Sequence, residues 1–160
     1  MSRRAHADDF TVTNDVISHL RENSVGRLLL RASRQYNDKA IARVRQLGHP
    51  QLTLAHASIL PHIDIQGTRL RDVATRAGLT KQSASELISS LERLGYIRRE
   101  ADPQDGRSHL LVFTEKGEQF LRAAYRAKSE LEKELVERLG VDPANQLIAR
   151  LREYVDLDRR

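Results

Sequence analysis

Residues 68–113 decide the fold, and they read TRLRDVATRAGLT (68–80), KQSASELISSLERL (81–94) and GYIRREADPQDGRSHLLVF (95–113). The first stretch predicts a short helix that ends in a sharp turn at Gly78, because glycine adopts backbone conformations that other residues disfavour. Thr80 is a favourable N-cap residue, so a second helix is predicted from Lys81 to about Leu94. The last stretch predicts a strand, a polar turn and a second strand, which together form a β-hairpin.

The helix predicted to begin at Lys81 has two different faces. Its apolar stripe consists of Ala84, Leu87, Ile88, Leu91 and Leu94. Its opposite face carries Lys81, Gln82, Ser83, Ser85, Glu86 and Ser89. Small polar side chains suit a surface that enters a DNA major groove and offers donors and acceptors to base edges. We therefore predict that these six residues bind DNA.

Three motifs in and after this region carry a family resemblance: LERLGYI (91–97), DPQDGR (102–107) and FTEKG (113–117). Together they resemble the winged-helix signature of the MarR (multiple antibiotic resistance regulator) family, over residues 52–120. The resemblance implies a mainly α fold with a small β-wing: a winged helix-turn-helix core with N- and C-terminal dimerisation helices. It also implies a homodimeric, sequence-specific double-stranded DNA-binding transcriptional regulator.

The resemblance assigns roles to two residues of the hairpin. Arg107 is expected to enter the minor groove, and Asp105 is expected to brace the wing electrostatically. A guanidinium on a narrow hairpin tip suits the negative potential of an A·T-rich minor groove. The alternative is that Arg107 forms only a salt bridge within the wing.

Glu86 departs from the family pattern, since many members carry an arginine or another DNA-compatible residue there. A carboxylate near phosphates is unfavourable, although it can accept a hydrogen bond from the cytosine N4 amine. The alternative is that Glu86 pairs with Arg69, Arg93 or another nearby arginine. Further phosphate contacts are expected, on charge and position alone, from Arg69, Lys81, Arg93, Arg98 and Arg99, for each of which a solvated surface role is the alternative.

The rest of the chain predicts long helices. One runs from about Thr13 to Leu47, with Thr13 or Asn14 as N-cap, and another from Thr53 to about Ile65, with a kink or an early end at Pro61. Thr68 is predicted to cap the helix that follows it. Thr114 is predicted to cap a helix that runs to about Gly140, and a last helix starts near Val141.

We therefore expect a single domain over residues 1–160. Residues 13–47 and 114–160 supply the dimerisation helices, and residues 52–113 form the winged helix-turn-helix DNA-binding lobe. The apolar stripes of the helices in residues 114–160 should pack on the first helix and on a second subunit. Two recognition helices in such a dimer would lie roughly 34 Å apart, which predicts a pseudo-palindromic operator.

Composition excludes several other functions. The chain has 160 residues, a formal net charge of +5 and no cysteine, so disulfides, thiolate catalysis and Cys-type zinc sites are excluded. His56 and His62 share no helix face, and no metal site, cofactor or enzymatic activity is predicted. The N-terminal residues have no apolar core of a signal peptide and no segment could span a bilayer, so we expect a cytoplasmic protein without membrane partners.

Two further expectations concern regulation and the alternative function. The resemblance implies that a small anionic or aromatic effector binds between the dimer arms and the DNA-binding lobe, and Arg31, Tyr36, His56 and His62 are the candidate ligand residues. A dimer on a palindrome blocks polymerase by occupancy, which favours a repressor that an effector releases. The alternative is a winged-helix protein-interaction module that does not bind DNA, for which Glu86 is the best support.

Overall fold

The computed structural model describes residues 12–22 and 24–156. The chain divides into two compact units, with the boundary between Tyr36 and Asn37. The prediction of one domain over 1–160 therefore remains a prediction. Within the described residues, no helix combines the length and the apolar character that crossing a membrane requires.

The first unit contains α1 (Asn14–Glu22) and the start of α2 (Val25–Gln46). Thr13 caps α1 as predicted, because its Oγ1 accepts a hydrogen bond from Val16 N at 3.3 Å. The prediction of one continuous helix over 13–47 is wrong. Ser24 Oγ accepts from Arg27 N at 3.3 Å and caps a new helix. A serine that satisfies a free N–H stabilises a second helix start, which periodicity alone does not reveal.

The second unit contains most of the secondary structure. After α2 come α3 (Leu54–Ile59), a 3₁₀ helix (Leu60–His62), β1 (Thr68–Arg69), α4 (Leu70–Arg76), α5 (Lys81–Arg93), β2 (Ile97–Asp102), β3 (Asp105–Phe113), α6 (Glu115–Leu139) and α7 (Val141–Asp156). The mainly helical fold with a small sheet agrees with the sequence-based prediction. The helix predicted over 53–65 ends early, at Ile59, and Pro61 lies in the 3₁₀ turn that follows.

The sheet has the strand order β1-β3-β2, with both pairs antiparallel. The hairpin of β2 and β3 confirms the predicted wing, and its register pairs Ile97 with Phe113. The prediction that Thr68 caps a helix is wrong, because Thr68 lies in β1 and pairs with Leu111 of β3. A strand of two residues has no recognisable pattern, and its partner is supplied by a distant part of the chain.

The core of the second unit lies between α3, α4, α5 and the sheet. Several side chains there have no exposed surface, namely Leu52, Ile59, Leu60, Val73, Ala84, Ile88 and Leu91. Each large aliphatic side chain buried this way contributes about 1.5–3 kcal/mol to folding. The apolar stripe predicted on α5 is therefore the face that holds this helix on the domain, and its polar face is left outside.

A polar and aromatic cluster anchors α6 to the base of the wing. Thr114 caps α6 as predicted, since its Oγ1 accepts from Gly117 N at 3.2 Å and donates to Gly95 O at 2.6 Å. Tyr96 is buried and its hydroxyl is hydrogen-bonded to His49 Nδ1 at 3.1 Å. Burial is the main cause that raises the pKa of Tyr96 and lowers the pKa of His49.

The long helix α6 also contacts α2 within the second unit. Glu134 accepts a hydrogen bond from Lys39 Nζ at 3.1 Å and is ion-paired with Arg43. The hydrogen bond from Lys39, with the charge of Arg43, lowers the pKa of Glu134. The apolar stripe of α7 is largely uncovered: Leu147 is 40%, Leu151 38%, Tyr154 59% and Val155 55% exposed. Leu157, an apolar residue of the predicted C-terminal dimerisation helices, lies outside the described residues.

Candidate nucleic-acid interface

The first turns of α5 present the polar face that the sequence predicts. Thr80 caps the helix, because its Oγ1 accepts from Ser83 N at 3.1 Å. Lys81, Gln82, Ser83 and Glu86 are exposed, and Ser85 and Ser89 are half-buried at the edges of this face. The structure therefore brings the six predicted residues of this helix together on one surface.

Glu86 has a partner that sequence reasoning missed. Gln82 Nε2 donates a hydrogen bond to Glu86 Oε1 at 3.3 Å, across one turn of α5. The alternative that Glu86 pairs with Arg69, Arg93 or another arginine is not observed, because within residues 12–22 and 24–156 Glu86 forms no ion pair. A residue four positions earlier on an exposed helix face is a neighbour, so the i, i+4 spacing was the available signal.

The tip of the wing holds Arg107 in the open. Asp105 Oδ1 accepts from the backbone N of Arg107 at 3.1 Å and shapes the turn. In the described part of the chain, the guanidinium of Arg107 makes no hydrogen bond or ion pair, and the residue is exposed. The alternative that Arg107 serves only as a wing salt bridge therefore has no support here.

Asp102, more than Asp105, is the carboxylate that braces the wing. Asp102 is buried, with 5% of the residue exposed, and its Oδ2 lies 2.6 Å from Arg69 Nη2. Asp102 Oδ1 also accepts from Gln104 N at 2.8 Å, and Oδ2 accepts from Ser108 Oγ at 3.0 Å. The electrostatic contribution expected of Asp105 is secondary: its carboxylate accepts from the backbone N of Arg107, and its charge adds less than that of Asp102 to the raised pKa of Arg69.

These contacts hold Asp102 ionised. The hydrogen bond from Gln104 N, followed by those from Arg69 and Ser108, lowers the pKa of Asp102. An aspartate that accepts from the N–H two residues later forms an Asx-turn, and the sequence DPQD carries that signal. The ion pair also means that Arg69, expected to contact phosphates, has its guanidinium directed to the wing base, where 41% of its side chain remains exposed.

Arg98 and Arg99 lie in β2, and the side chain of each contacts a glutamate. Arg98 Nε donates to Glu100 Oε1 at 2.9 Å, and Arg99 Nε donates to Glu92 Oε1 at 3.0 Å. The second contact ties the end of α5 to the wing. Both arginines are exposed enough to contact a phosphate, provided that the phosphate competes with the carboxylate.

The four residues predicted to bind a ligand lie in different surroundings. Arg31 and Tyr36 belong to the first unit and are exposed, whereas His56 and His62 belong to the second. Arg31 lines a cavity of about 510 Å³ in the first unit, together with Arg21, Arg27, Leu28, Leu30, Arg34 and Gln35. Tyr36 is not among the residues that line it.

Both ring nitrogens of His56 are engaged inside the protein. Thr53 N donates to Nδ1 at 3.3 Å, so the proton of the neutral ring is on Nε2, which is 3.1 Å from Ser90 Oγ. His56 thereby connects α3 to α5, and burial lowers its pKa. His62 is half-buried, and its carbonyl accepts from Arg76 Nη1 at 3.3 Å. Within the described ranges, no group of histidine and acidic side chains could hold a metal ion.

Comparison with known proteins places this geometry among transcriptional regulators. A sequence model of the MarR family matches residues 51–108. An HTH-type transcriptional regulator of Mycobacterium leprae (strain TN) is 32% identical over 102 residues, which cover 62% of this chain and 69% of that relative. The transcriptional regulator HosA of Escherichia coli O111:H- is 30% identical over 92 residues, which cover 57% of this chain and 68% of HosA.

A solved structure is similar over most of the chain. The transcriptional repressor CouR, bound to a 23-mer DNA duplex, superposes with a TM-score of 0.70 at 29% sequence identity. The alignment covers 87% of this chain and 96% of CouR. The winged helix-turn-helix fold that the sequence predicts is therefore confirmed.

Proposed function

The chain belongs to the MarR family of transcriptional regulators and is not an enzyme, and from this premise we propose that it binds duplex DNA sequence-specifically as a homodimer. The observation that carries the proposal is the exposed polar face of α5, together with a wing arginine whose guanidinium has no partner among the described residues. Lys81, Gln82, Ser83 and Glu86 are exposed, while Ala84 and Ile88 on the opposite face are fully buried. A helix held by its apolar face and exposed along its polar face suits insertion into a major groove.

Arg107 supplies the second contact of each subunit. Its guanidinium has no partner among the residues that the structure describes, whereas the wing beneath it is braced by the Arg69–Asp102 ion pair. A free guanidinium on a rigid hairpin suits a narrow, A·T-rich minor groove. Lys81, Arg98 and Arg99 add phosphate contacts, and CouR, to which this chain is similar, is bound to a DNA duplex.

The dimer is supported by apolar surface that the described residues of one chain leave uncovered. Leu147, Leu151, Tyr154 and Val155 of α7 lie on one stripe, and each is at least 38% exposed. A two-fold dimer would cover such a self-complementary stripe on both subunits. It would also present two recognition helices to a pseudo-palindromic operator in the cytoplasm, where the bound dimer represses transcription by occupancy.

The arginine-lined cavity of the first unit supports release by an effector. Arg21, Arg27, Arg31 and Arg34 line it with two leucines, so it offers positive charge together with apolar surface. A small anionic or aromatic molecule fits this chemistry. Calorimetric titration of a set of aromatic carboxylates into wild type and Arg31→Ala tests this part of the proposal. If none of these carboxylates binds wild type, this part is contradicted.

A different function is a winged-helix module that contacts proteins and not DNA. The observation that favours it is Glu86, a carboxylate without an ion-pair partner in the described residues, on the face that would meet phosphates. DNA binding and its dependence on Arg107 separate the two functions.

The proposed function is tested by selecting duplexes from a random library with the full chain and measuring gel shifts at two salt concentrations. Binding that weakens with rising salt is expected. Arg107→Ala should lower the affinity about tenfold and remove the A·T preference beside the half-sites. Gln82→Ala should change which sequences are chosen. Arg122→Ala removes the same charge from an exposed site on α6 and serves as the control.

Two results would contradict the proposal. One is the absence of salt-dependent binding to any duplex, which would favour the protein-interaction module. The other is an equal loss of affinity for Arg107→Ala and Arg122→Ala, since the wing would then contribute only net charge.

A further inference from the structure

Gln82 and Glu86 form a pair on the exposed face of α5 that the proposed DNA contacts do not explain. Their side chains lie one helical turn apart, and Gln82 Nε2 donates to Glu86 Oε1 at 3.3 Å. Both residues are exposed. The inference that follows rests on the proposed function, because it concerns which base this face selects.

The charge of Glu86 is unusual for its place. The chain has a formal net charge of +5, and the polar face of α5 would approach a polyanion. Within the described residues, the carboxylate of Glu86 forms no ion pair, and its hydrogen-bond partner is the neutral amide of Gln82. A carboxylate here lowers the affinity for phosphates, and only a hydrogen-bond donor on the DNA can offset that cost.

The available donors in a major groove are few. Cytosine offers its N4 amine and adenine its N6 amine, whereas guanine and thymine present acceptors beside the position of a carboxylate. Adenine also presents N7, an acceptor that repels a carboxylate but suits an amide with one donor and one acceptor. Glu86 therefore matches cytosine better than adenine, and it disfavours guanine most strongly.

Gln82 determines how Glu86 is presented. Its hydrogen bond occupies one carboxylate oxygen, so Oε2 of Glu86 stays available to a base. The same bond restricts the rotamers of a long exposed side chain, which reduces the entropy lost when it meets DNA. Gln82 keeps its own carbonyl and one N–H, which suit an adjacent base pair.

From these contacts we propose that Glu86, positioned by Gln82, is a specificity-determining residue that accepts a hydrogen bond from the N4 amine of one cytosine in each operator half-site. The carboxylate weakens the sequence-independent attraction to phosphates, and it makes binding selective for a C·G pair at that position. Discrimination against the other base pairs is expected to be about tenfold.

The test uses the full chain and its selected operator, with each cytosine of a half-site replaced in turn by the 2-pyrimidinone nucleoside, which lacks the N4 amine. Wild type is expected to lose about tenfold in affinity at one cytosine only. Glu86→Ala is expected to bind the natural and the amine-free duplex equally, and to bind unrelated duplexes more tightly because a negative charge is gone. Gln82→Ala should keep part of the discrimination.

Glu132→Ala is the matched control, since it removes the same charge from an exposed position on α6 and should retain the wild-type response. If wild type binds its operator specifically but loses no affinity when the N4 amine is removed at any cytosine, this inference is overturned and the proposed function is not. An equal response of wild type and Glu86→Ala would also overturn it. Absence of salt-dependent binding to any duplex would overturn the proposed function together with it.

Discussion

Gly117, in the first turn of α6, lies against the carbonyl of Tyr96 so closely that a Cβ atom at position 117 would be 2.1 Å from the Tyr96 oxygen. The same carbonyl accepts a hydrogen bond from Thr114 N at 3.1 Å. The contact joins the start of the wing to the helix that follows it. A backbone atom cannot move aside as the end of a flexible side chain can, so this position requires glycine.

Gly117→Ala is therefore expected to destabilise the protein, although alanine is the better helix former. Overpacking of this kind costs about 1–3 kcal/mol, which exceeds the gain of about 1 kcal/mol from helix propensity. Urea denaturation at fixed protein concentration measures the change in the free energy of unfolding. Gly106→Ala is the control, because a Cβ atom at position 106 would meet no atom within 4 Å beyond its chain neighbours. Equal stabilities of the two variants would contradict the expectation.

The ion pair of Arg69 and Asp102 predicts how the wing responds to pH. The pKa of Asp102 is lowered in the folded protein by Gln104 N, Arg69 and Ser108, so the unfolded state binds its proton more readily. The carboxylate therefore contributes stability above its unfolded pKa of about 3.9, and this contribution is lost as pH falls through the folded pKa.

Asp102→Asn should lower the melting temperature at pH 7 and weaken binding to DNA through a less rigid wing. The difference from wild type should shrink below about pH 4, where wild type itself becomes protonated. Asp105→Asn is the matched variant, and its effect should be smaller because its side chain accepts only from Arg107 N. A constant difference between wild type and Asp102→Asn from pH 7 to pH 3 would argue against this role.

His56 predicts a second pH response, at higher pH. Burial lowers its pKa, and its Nδ1 accepts from Thr53 N, so a proton on Nδ1 would oppose that hydrogen bond. The neutral ring contributes stability above the unfolded pKa of about 6.5, and this is lost as pH falls towards the folded pKa. His49, whose pKa is also lowered, adds to the same loss.

In His56→Gln, the melting temperature should fall less than in wild type when the pH is lowered from 7.5 to 5.5. Glutamine at this position retains an acceptor for the capping box of α3 and does not titrate. Thermal melts followed by circular dichroism in a series of buffers measure the difference. If the melting temperatures of the two proteins change in parallel with pH, the pKa of His56 does not differ between the folded and unfolded states, which would contradict this prediction.

The exposed stripe of α7 predicts the effect of a charge on assembly. Leu151→Glu should shift the proposed dimer towards monomer, because it places a carboxylate where an apolar partner surface would pack. Ala149→Glu adds the same charge at an exposed position on the opposite side of the helix and should leave the dimer intact. Sedimentation velocity and gel shifts at matched concentrations measure the assembly and its consequence for binding.

A dimer that tolerates Leu151→Glu as well as Ala149→Glu would rule out this stripe as the interface. If Leu151→Glu lost DNA binding without any change in its sedimentation, α7 would likewise not be the dimer interface. Neither result bears on the base contacts proposed for α5, which the DNA-binding measurements test separately.

Sequence reasoning predicted the elements of the interface well. The caps Thr80 and Thr114 and the hairpin after Gly95 are confirmed. It did not predict the helix break at Ser24, the strand β1 or the Gln82–Glu86 hydrogen bond. Both the break and the strand are short. The helical periodicity of Leu28 and Leu29 outweighs the signal of the break at Ser24, and the cap-like character of Thr68 outweighs the signal of β1.

The sequence by itself determined where the recognition helix and the wing begin and end, because capping, periodicity and turn residues act over a few neighbouring positions. The tertiary structure alone decided which carboxylate braces the wing. Arg69 and Asp102 are separated by 33 positions, and the strand order β1-β3-β2 places β1 on the sheet that carries Asp102. Asp105 is nearer to Arg107 in the chain, but its carboxylate accepts from the backbone N of Arg107 and forms no ion pair with a wing arginine among the described residues.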